Sequence, residues 1–452
     1  MSAGSIKTHQ LQQPDTVKRG TAVREAALFI LPAIIITVIS ILVFSLLTGF
    51  TPEQHNRFVV IIFLAIIPSL LGTAGFQVII YRIIEEKHEA QDKAVDRALF
   101  IGIIFGLSFS AAVSGLTLPF IGLLGLTLTD FSYFVVLLML FTMIWIFMAV
   151  FWATRQFYYP VVLIGFGFSS ILAITYGFHR IDPVYTIYGY TLGVILLFIM
   201  IAVALLKAFG RIRVDKSSLP TTSLPSLVTH NISLIFFSIL YLLATFLDKI
   251  IVWVYQGTQS GSGLLIPGPY TIGAFLGLIP LFSVVATLYF GQVSRQIVEK
   301  RYEGTLTEIK KRAAKYLKMY RHTLGYMVAI WAVLFILTTG VVYFLLWDPL
   351  VFRTTITIAV GSLFLLLILH NSQLLVTFGE GRISAFAASF IIASELASIL
   401  FIHIDVWFAA AGFLTGAILG FLLSEVYTLI LSSDFEFKIY HYAARSAGVR
   451  WE

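Results

Sequence analysis

Long stretches of this chain carry no charge. Of 452 residues, 59% are hydrophobic and only 12% charged, whereas soluble domains run nearer half apolar and a quarter charged. The apolar residues gather in runs of roughly 20, the length a helix needs to cross a ~30 Å hydrocarbon core. Such runs fall near 25–50, 58–82, 98–121, 131–152, 158–178 and 183–207, then 231–255, 267–291, 323–346, 353–378, 383–402 and 406–432. Inside lipid every backbone N–H and C=O must be satisfied within its own segment, so runs of this length are helices. The expected architecture is an all-α integral membrane protein of about twelve transmembrane helices.

Basic residues set the orientation. With the N-terminus on the cytoplasmic side, 26 of the 30 Lys and Arg fall on inside segments, only Arg57, Arg180 and Arg353 fall outside, and Lys249 lies within a span. That asymmetry places both termini in the cytoplasm. The polar N-tail, 1–24, lacks the apolar region of a cleaved signal peptide, so the first span is expected to direct its own insertion. Between spans six and seven, the segment 208–230 holds Pro220, Pro225 and many Ser and Thr, which reads as a cytoplasmic linker. It divides a first six-helix bundle, 25–207, from a second, 231–432, followed by a C-tail, 433–452. Two six-span halves enter from the same side, the condition for parallel repeats about an axis along the membrane normal and around a central cavity. The halves show no residue-level identity.

Several chemistries are excluded. The chain has no Cys, hence no thiol chemistry and no cysteine metal site. It also lacks a GxxxxGK[ST] loop, an HExxH and a GxSxG, and no extramembrane segment is large enough for a nucleotide-binding domain. No cofactor, metal site or enzymatic activity is expected. The net charge of +7 reflects cytoplasmic loops rather than nucleic-acid binding.

Ionisable groups inside spans are costly and normally face a cavity or one another. Asp248 and Lys249 sit in span seven, roughly 10 Å from its outer end at 1.5 Å per residue. Neighbours in sequence point about 100° apart on a helix and need not pair with each other. They read either as a substrate- or ion-contacting pair at a cavity wall or as charges bonded to other helices. Glu395, midway along span eleven, is a candidate proton carrier or an interhelical hydrogen-bonding group. Glu425, near the end of span twelve, reads as an interface anchor. His370, Asn371 and Gln373 in span ten offer a polar seam for a hydroxylated substrate or bonds between helices. Gln77 in span two is a weaker pathway candidate. Trp253, five residues beyond Asp248, suits stacking on a sugar ring as well as interfacial anchoring.

Glycine ladders at Gly102/Gly106, Gly273/Gly277 and Gly412/Gly416/Gly420 permit close helix approach. Pro68, Pro119 and Pro280 free backbone groups in or beside spans, as happens where transporters line a cavity. The segment 292–322 carries nine basic and three acidic residues, including Lys310, Lys311, Arg312, Lys315 and Lys318, with apolar positions at helical spacing. It reads as an amphipathic helix on the anionic inner leaflet or as a docking surface for a cytoplasmic partner.

Twelve spans in two halves, a polar linker and a basic loop after span eight resemble the flippase superfamily of multidrug antiporters, lipid-linked oligosaccharide flippases and polysaccharide exporters. Within it, Leu247-Asp248-Lys249-Ile250-Ile251-Val252-Trp253 looks like the aspartate–lysine–aromatic signature in span seven of PelG-like exopolysaccharide exporters. The likeness runs in pattern over essentially the whole chain, and the specific motif covers about seven residues. It implies export of polysaccharide, or of a lipid-linked sugar, across the inner membrane beside a cytoplasmic glycosyltransferase and other synthase-complex subunits. Two departures narrow the choice. Span one has only Glu25, at its cytoplasmic edge, where multidrug antiporters often carry an internal acid. Lys249 is the single basic residue within a span, where lipid II flippases use several arginines. A lipid-linked oligosaccharide flippase and an ion-coupled multidrug antiporter are the alternatives, in that order.

Overall fold

A computed structural model describes residues 52–85, 91–154, 156, 158–210, 228–229, 231–260, 268–284, 306–346, 348–378 and 380–433. The expected first span, most of the linker and the C-tail lie outside these residues. The described chain is helical: α1 (Pro52–Glu85), α2 (Gln91–Thr117), α3 (Leu128–Ala153), α4 (Tyr158–Ile181), α5 (Thr186–Phe209), α6 (Ile232–Ser260), α7 (Gly268–Gly277), α8 (Leu306–Val341), α9 (Pro349–Thr377), α10 (Gly381–Ser398) and α11 (Trp407–Ser433). They correspond in order to the expected spans two to twelve. Eight of the described helical segments are long and apolar enough to cross a membrane.

Local chemistry sets the helix starts. Thr127 and Asp130 form a reciprocal capping box at the head of α3, which satisfies donors that the first turn leaves open. Asp348 accepts from the N–H groups of Leu350 and Val351 ahead of Pro349 at the head of α9, the position where a proline's missing N–H costs nothing. Within α1, Pro68 removes one intrahelical donor. The next turns carry hydroxyls bonded back to their own helix: Ser69 donates to the Ile66 carbonyl and Thr73 to that of Ser69.

The helices sort into two sets, each around one charge-poor helix. In the first, α3 is buried almost all round through Leu137, Leu138, Ile146 and Val150, as expected of a helix apolar on every face. In the second, α9 takes that place through Ile358, Leu365, Leu366 and Ile368. These are the fourth expected span of each half. The neighbours match as well: α1 packs on α3 as α7 packs on α9, and α4 pairs with α5 as α10 pairs with α11. The same pairings thus recur six spans apart without sequence identity.

The glycine ladders mark close helix approaches. A Cβ on Gly416 would lie 2.5 Å from the Ile391 Cα, and one on Gly420 2.5 Å from the Ala387 carbonyl oxygen. Bare backbone on α11 therefore lets α10 seat directly against it.

Two expectations change. The eighth span, expected as one run over 267–291, is broken: α7 stops at Gly277 and a 3-10 turn, Ile279–Ser283, follows around Pro280, whose missing N–H cannot continue the α ladder. Residues 285–291 lie outside the described set. The basic segment 292–322, expected as an amphipathic helix on the inner leaflet or a docking surface for a partner, lies outside the described residues up to 305, and from Leu306 onward is the first part of α8, continuous with span nine. Its apolar positions Ala313 and Tyr316 are buried against Leu374 of α9 and Leu431 of α11, so that face is spent on protein rather than on lipid.

Candidate functional site

The two helix sets meet along α1 and α6, which run antiparallel. At one end Arg82 Nε donates to Asn231 Oδ1 at 2.9 Å. Further along, Gly75 admits Ile235, whose Cγ2 a Cβ there would meet at 2.8 Å. Beyond it Phe63 of α1 approaches Trp253 of α6, with ring centroids 5.0 Å apart, and stacks on Phe275 of α7 at 4.7 Å.

Directly behind this aromatic contact lie the charges of span seven. Asp248 and Lys249 are both fully buried, and they pair with each other: Lys249 Nζ is 2.8 Å from Asp248 Oδ1. The 100° offset between neighbours is overcome because the lysine stem is long enough to fold back. From there Nζ also donates to the Thr245 carbonyl, 2.9 Å away, and sits 5.7 Å from the Phe275 ring centroid. The second carboxylate oxygen, Asp248 Oδ2, accepts from the Tyr270 hydroxyl at 2.8 Å. Burying two charges is costly unless their lone pairs and protons are used, and both Asp248 oxygens are used here.

Glu395 faces this pair from α10, fully buried. Asp248 and Lys249 are its electrostatic neighbours, and the Asp248 main chain approaches it. Neither Glu395 oxygen completes a hydrogen bond of standard geometry among the described residues. The arrangement is thus one buried ion pair with a phenol closing one side, and a second carboxyl, Glu395, facing the pair from beyond ion-pair distance.

Trp253 does not present a free face for sugar stacking in this conformation. It is buried, its indole N–H donates to Thr271 Oγ1 at 3.0 Å, and its ring meets Phe63. Sequence reasoning missed Tyr270 and Thr271 at the head of α7, and the aromatic pair Phe63 and Phe275. Nothing in their local sequence marks them, because each acquires its role from a partner on another helix.

The polar residues of span ten form a separate cluster toward the end that the charge distribution assigns to the cytoplasm. Asn371 accepts from the Tyr320 hydroxyl of α8 and donates to Ser424 Oγ and Glu425 Oε2 of α11, at 3.1 and 2.9 Å. The His370 ring stacks on Tyr320 with centroids 4.3 Å apart. These residues therefore tie α8, α9 and α11 together, and Glu425 belongs to that tie. Gln373 and Gln77 are partly buried on α9 and α1. On α8, Lys310, Lys311, Lys315 and Lys318 are exposed, opposite the buried Ala313 and Tyr316; the Arg312 side chain lies outside the described set.

Comparison with known proteins bears on this arrangement. The profile of the PelG family, described as "Putative exopolysaccharide Exporter (EPS-E)", matches residues 21–440. No curated protein matches. Among solved structures, an outward-facing multidrug resistance MATE family transporter of the MOP superfamily aligns at TM-score 0.64 and 14% identity, covering 93% of this chain and 96% of that one. A MOP superfamily transporter from Pyrococcus furiosus, whose binding pocket is described as of reverse polarity, aligns at TM-score 0.65 and 13% identity over 91% and 95%. At such identities these likenesses establish the fold alone, a MATE-like helical fold.

Proposed function

Because this chain belongs to the PelG family of exopolysaccharide exporters, we propose that the polymer leaves the cytoplasm across the inner membrane between the two helix sets, past the Asp248–Lys249 cluster. The observation that carries this reading is the position of the cluster. Two buried charges, with Glu395 facing them, lie immediately behind the Phe63–Phe275 contact that joins the sets. Parting α1 from α6 and α7 would uncover Lys249, Asp248 and Trp253 together, an ammonium, a carboxylate and an aromatic face suited to sugar hydroxyls and rings. Glu395 would supply a proton-carrying group at the same level, and His370, Asn371, Gln373 and Gln77 a polar wall elsewhere on the path.

Two modes of passage fit the fold. A lipid-linked unit would move by rocking of the halves; a long polymer would need a path held open during synthesis. The exposed lysines of α8 are the candidate surface for anionic lipid and for the glycosyltransferase and other synthase subunits. The experiment is secretion of polysaccharide in a deletion strain complemented with wild type or with Asp248→Ala/Lys249→Ala. Loss of secreted polymer in the deletion, not rescued by a normally expressed double variant, supports passage at this site. Full rescue by the variant makes the pair structural, and unchanged secretion in the deletion removes the export reading.

A further inference from the structure

The cluster around Lys249 has the composition of a small-cation site whose cation is part of the protein. The ammonium nitrogen has Asp248 Oδ1 and the Thr245 carbonyl as oxygen partners, at 2.8 and 2.9 Å, and the Phe275 ring at 5.7 Å. Glu395, on α10 and beyond ion-pair distance of the ammonium, faces the pair as a second, fully buried carboxyl without a completed hydrogen bond among the described residues. Tyr270 from α7 holds the far oxygen of Asp248. Two carboxyl groups, a main-chain carbonyl and an aromatic face are the donors that a bare monovalent cation takes up, since hard cations favour oxygen ligands. Here a tethered ammonium stands among them.

We propose that Lys249 is a built-in counter-cation, so that this exporter takes up no exchangeable metal cation at the site, and that a small monovalent cation fills it once the ammonium is removed. The proposal deepens the reading of this cluster as part of the pathway. Its test reads cation binding by purified protein, so that it stands or falls separately from export.

Thermal unfolding of the full chain in detergent is measured in choline chloride, sodium chloride and lithium chloride at one ionic strength. Wild type is expected to melt at the same temperature in all three. Lys249→Met is expected to melt lower in choline and to recover about half or more of that loss in sodium or lithium, and Lys249→Met/Glu395→Gln to show no recovery. A wild-type melting temperature raised by sodium and made insensitive by Glu395→Gln overturns the proposal, as does a folded Lys249→Met that ignores the cation.

Should Lys249→Met not fold, variants that keep the lysine decide. Asp248→Asn and Glu395→Gln each leave one carboxylate for the ammonium, whereas the double variant leaves none. The double variant is expected to lose more than the sum of the two single shifts in melting temperature. Additive shifts mean that only one carboxylate serves the ammonium, and the proposal fails.

Discussion

Phe63 of α1 and Phe275 of α7 lie almost flat against each other, 4.7 Å between centroids and 9° between planes. One ring comes from each helix set, and the Phe275 ring is also the aromatic neighbour of the Lys249 ammonium. The contact between the sets and the charged cluster therefore share a side chain.

A double-mutant cycle on Phe63→Ala and Phe275→Ala should return a coupling of about 0.5–1.5 kcal/mol, the size measured for aromatic pairs. Thermal unfolding of the four proteins in detergent measures it. A coupling near zero would mean that the stacked pair does not hold the sets together.

Tyr270→Phe removes one hydroxyl and no volume, leaving Asp248 Oδ2 without the donor now 2.8 Å away. The expected cost is about 1.5–3 kcal/mol, as for a hydrogen bond to a charged group. Polymer secretion should fall as well, while Tyr190→Phe, at a buried tyrosine of the first helix set, should leave secretion at wild-type level.

Asn371→Leu breaks the bonds to Tyr320, Ser424 and Glu425 at once. Interhelical bonds in membranes average about 0.6 kcal/mol and reach about 1.7, so the variant should be less stable by about 1–3 kcal/mol. If the cluster only ties helices, secretion per folded molecule stays near wild type. A loss of secretion at unchanged melting temperature would instead assign Asn371 to the path.

Gly416→Leu should abolish accumulation of folded protein, because even its Cβ would sit 2.5 Å from the Ile391 Cα. Gly325→Ala on α8, where nothing lies within 4 Å of the new Cβ, should be neutral or stabilising by up to about 1 kcal/mol through helix propensity. Expression and melting temperature of the two variants check the contrast.

The helical architecture was legible in the sequence because it follows from a one-dimensional quantity, the length of uncharged stretches set against bilayer thickness. Asp248, Lys249 and Glu395 were legible for a similar reason: a charge within an apolar run is visible without knowing its neighbours. Their arrangement was not. That Lys249 folds back onto Asp248 depends on where Tyr270 and Glu395 arrive from α7 and α10, and tertiary approach leaves no local trace. The same holds for Phe63, one of 40 phenylalanines, and for the basic segment. Its periodicity gave the helix correctly, but Leu374 and Leu431 decide what its apolar face covers.

Helix α8 runs 36 residues without interruption from Leu306 to Val341, about 54 Å at 1.5 Å per residue. The hydrocarbon core is only ~30 Å thick. The helix is therefore longer than the crossing needs, and its N-terminal turns bear the exposed lysines. A rod with no joint between its grip and its buried length is a lever. A partner that gripped Lys311 or Lys318 would turn span nine with it, and so would set the posture of the second helix set by mechanical work alone.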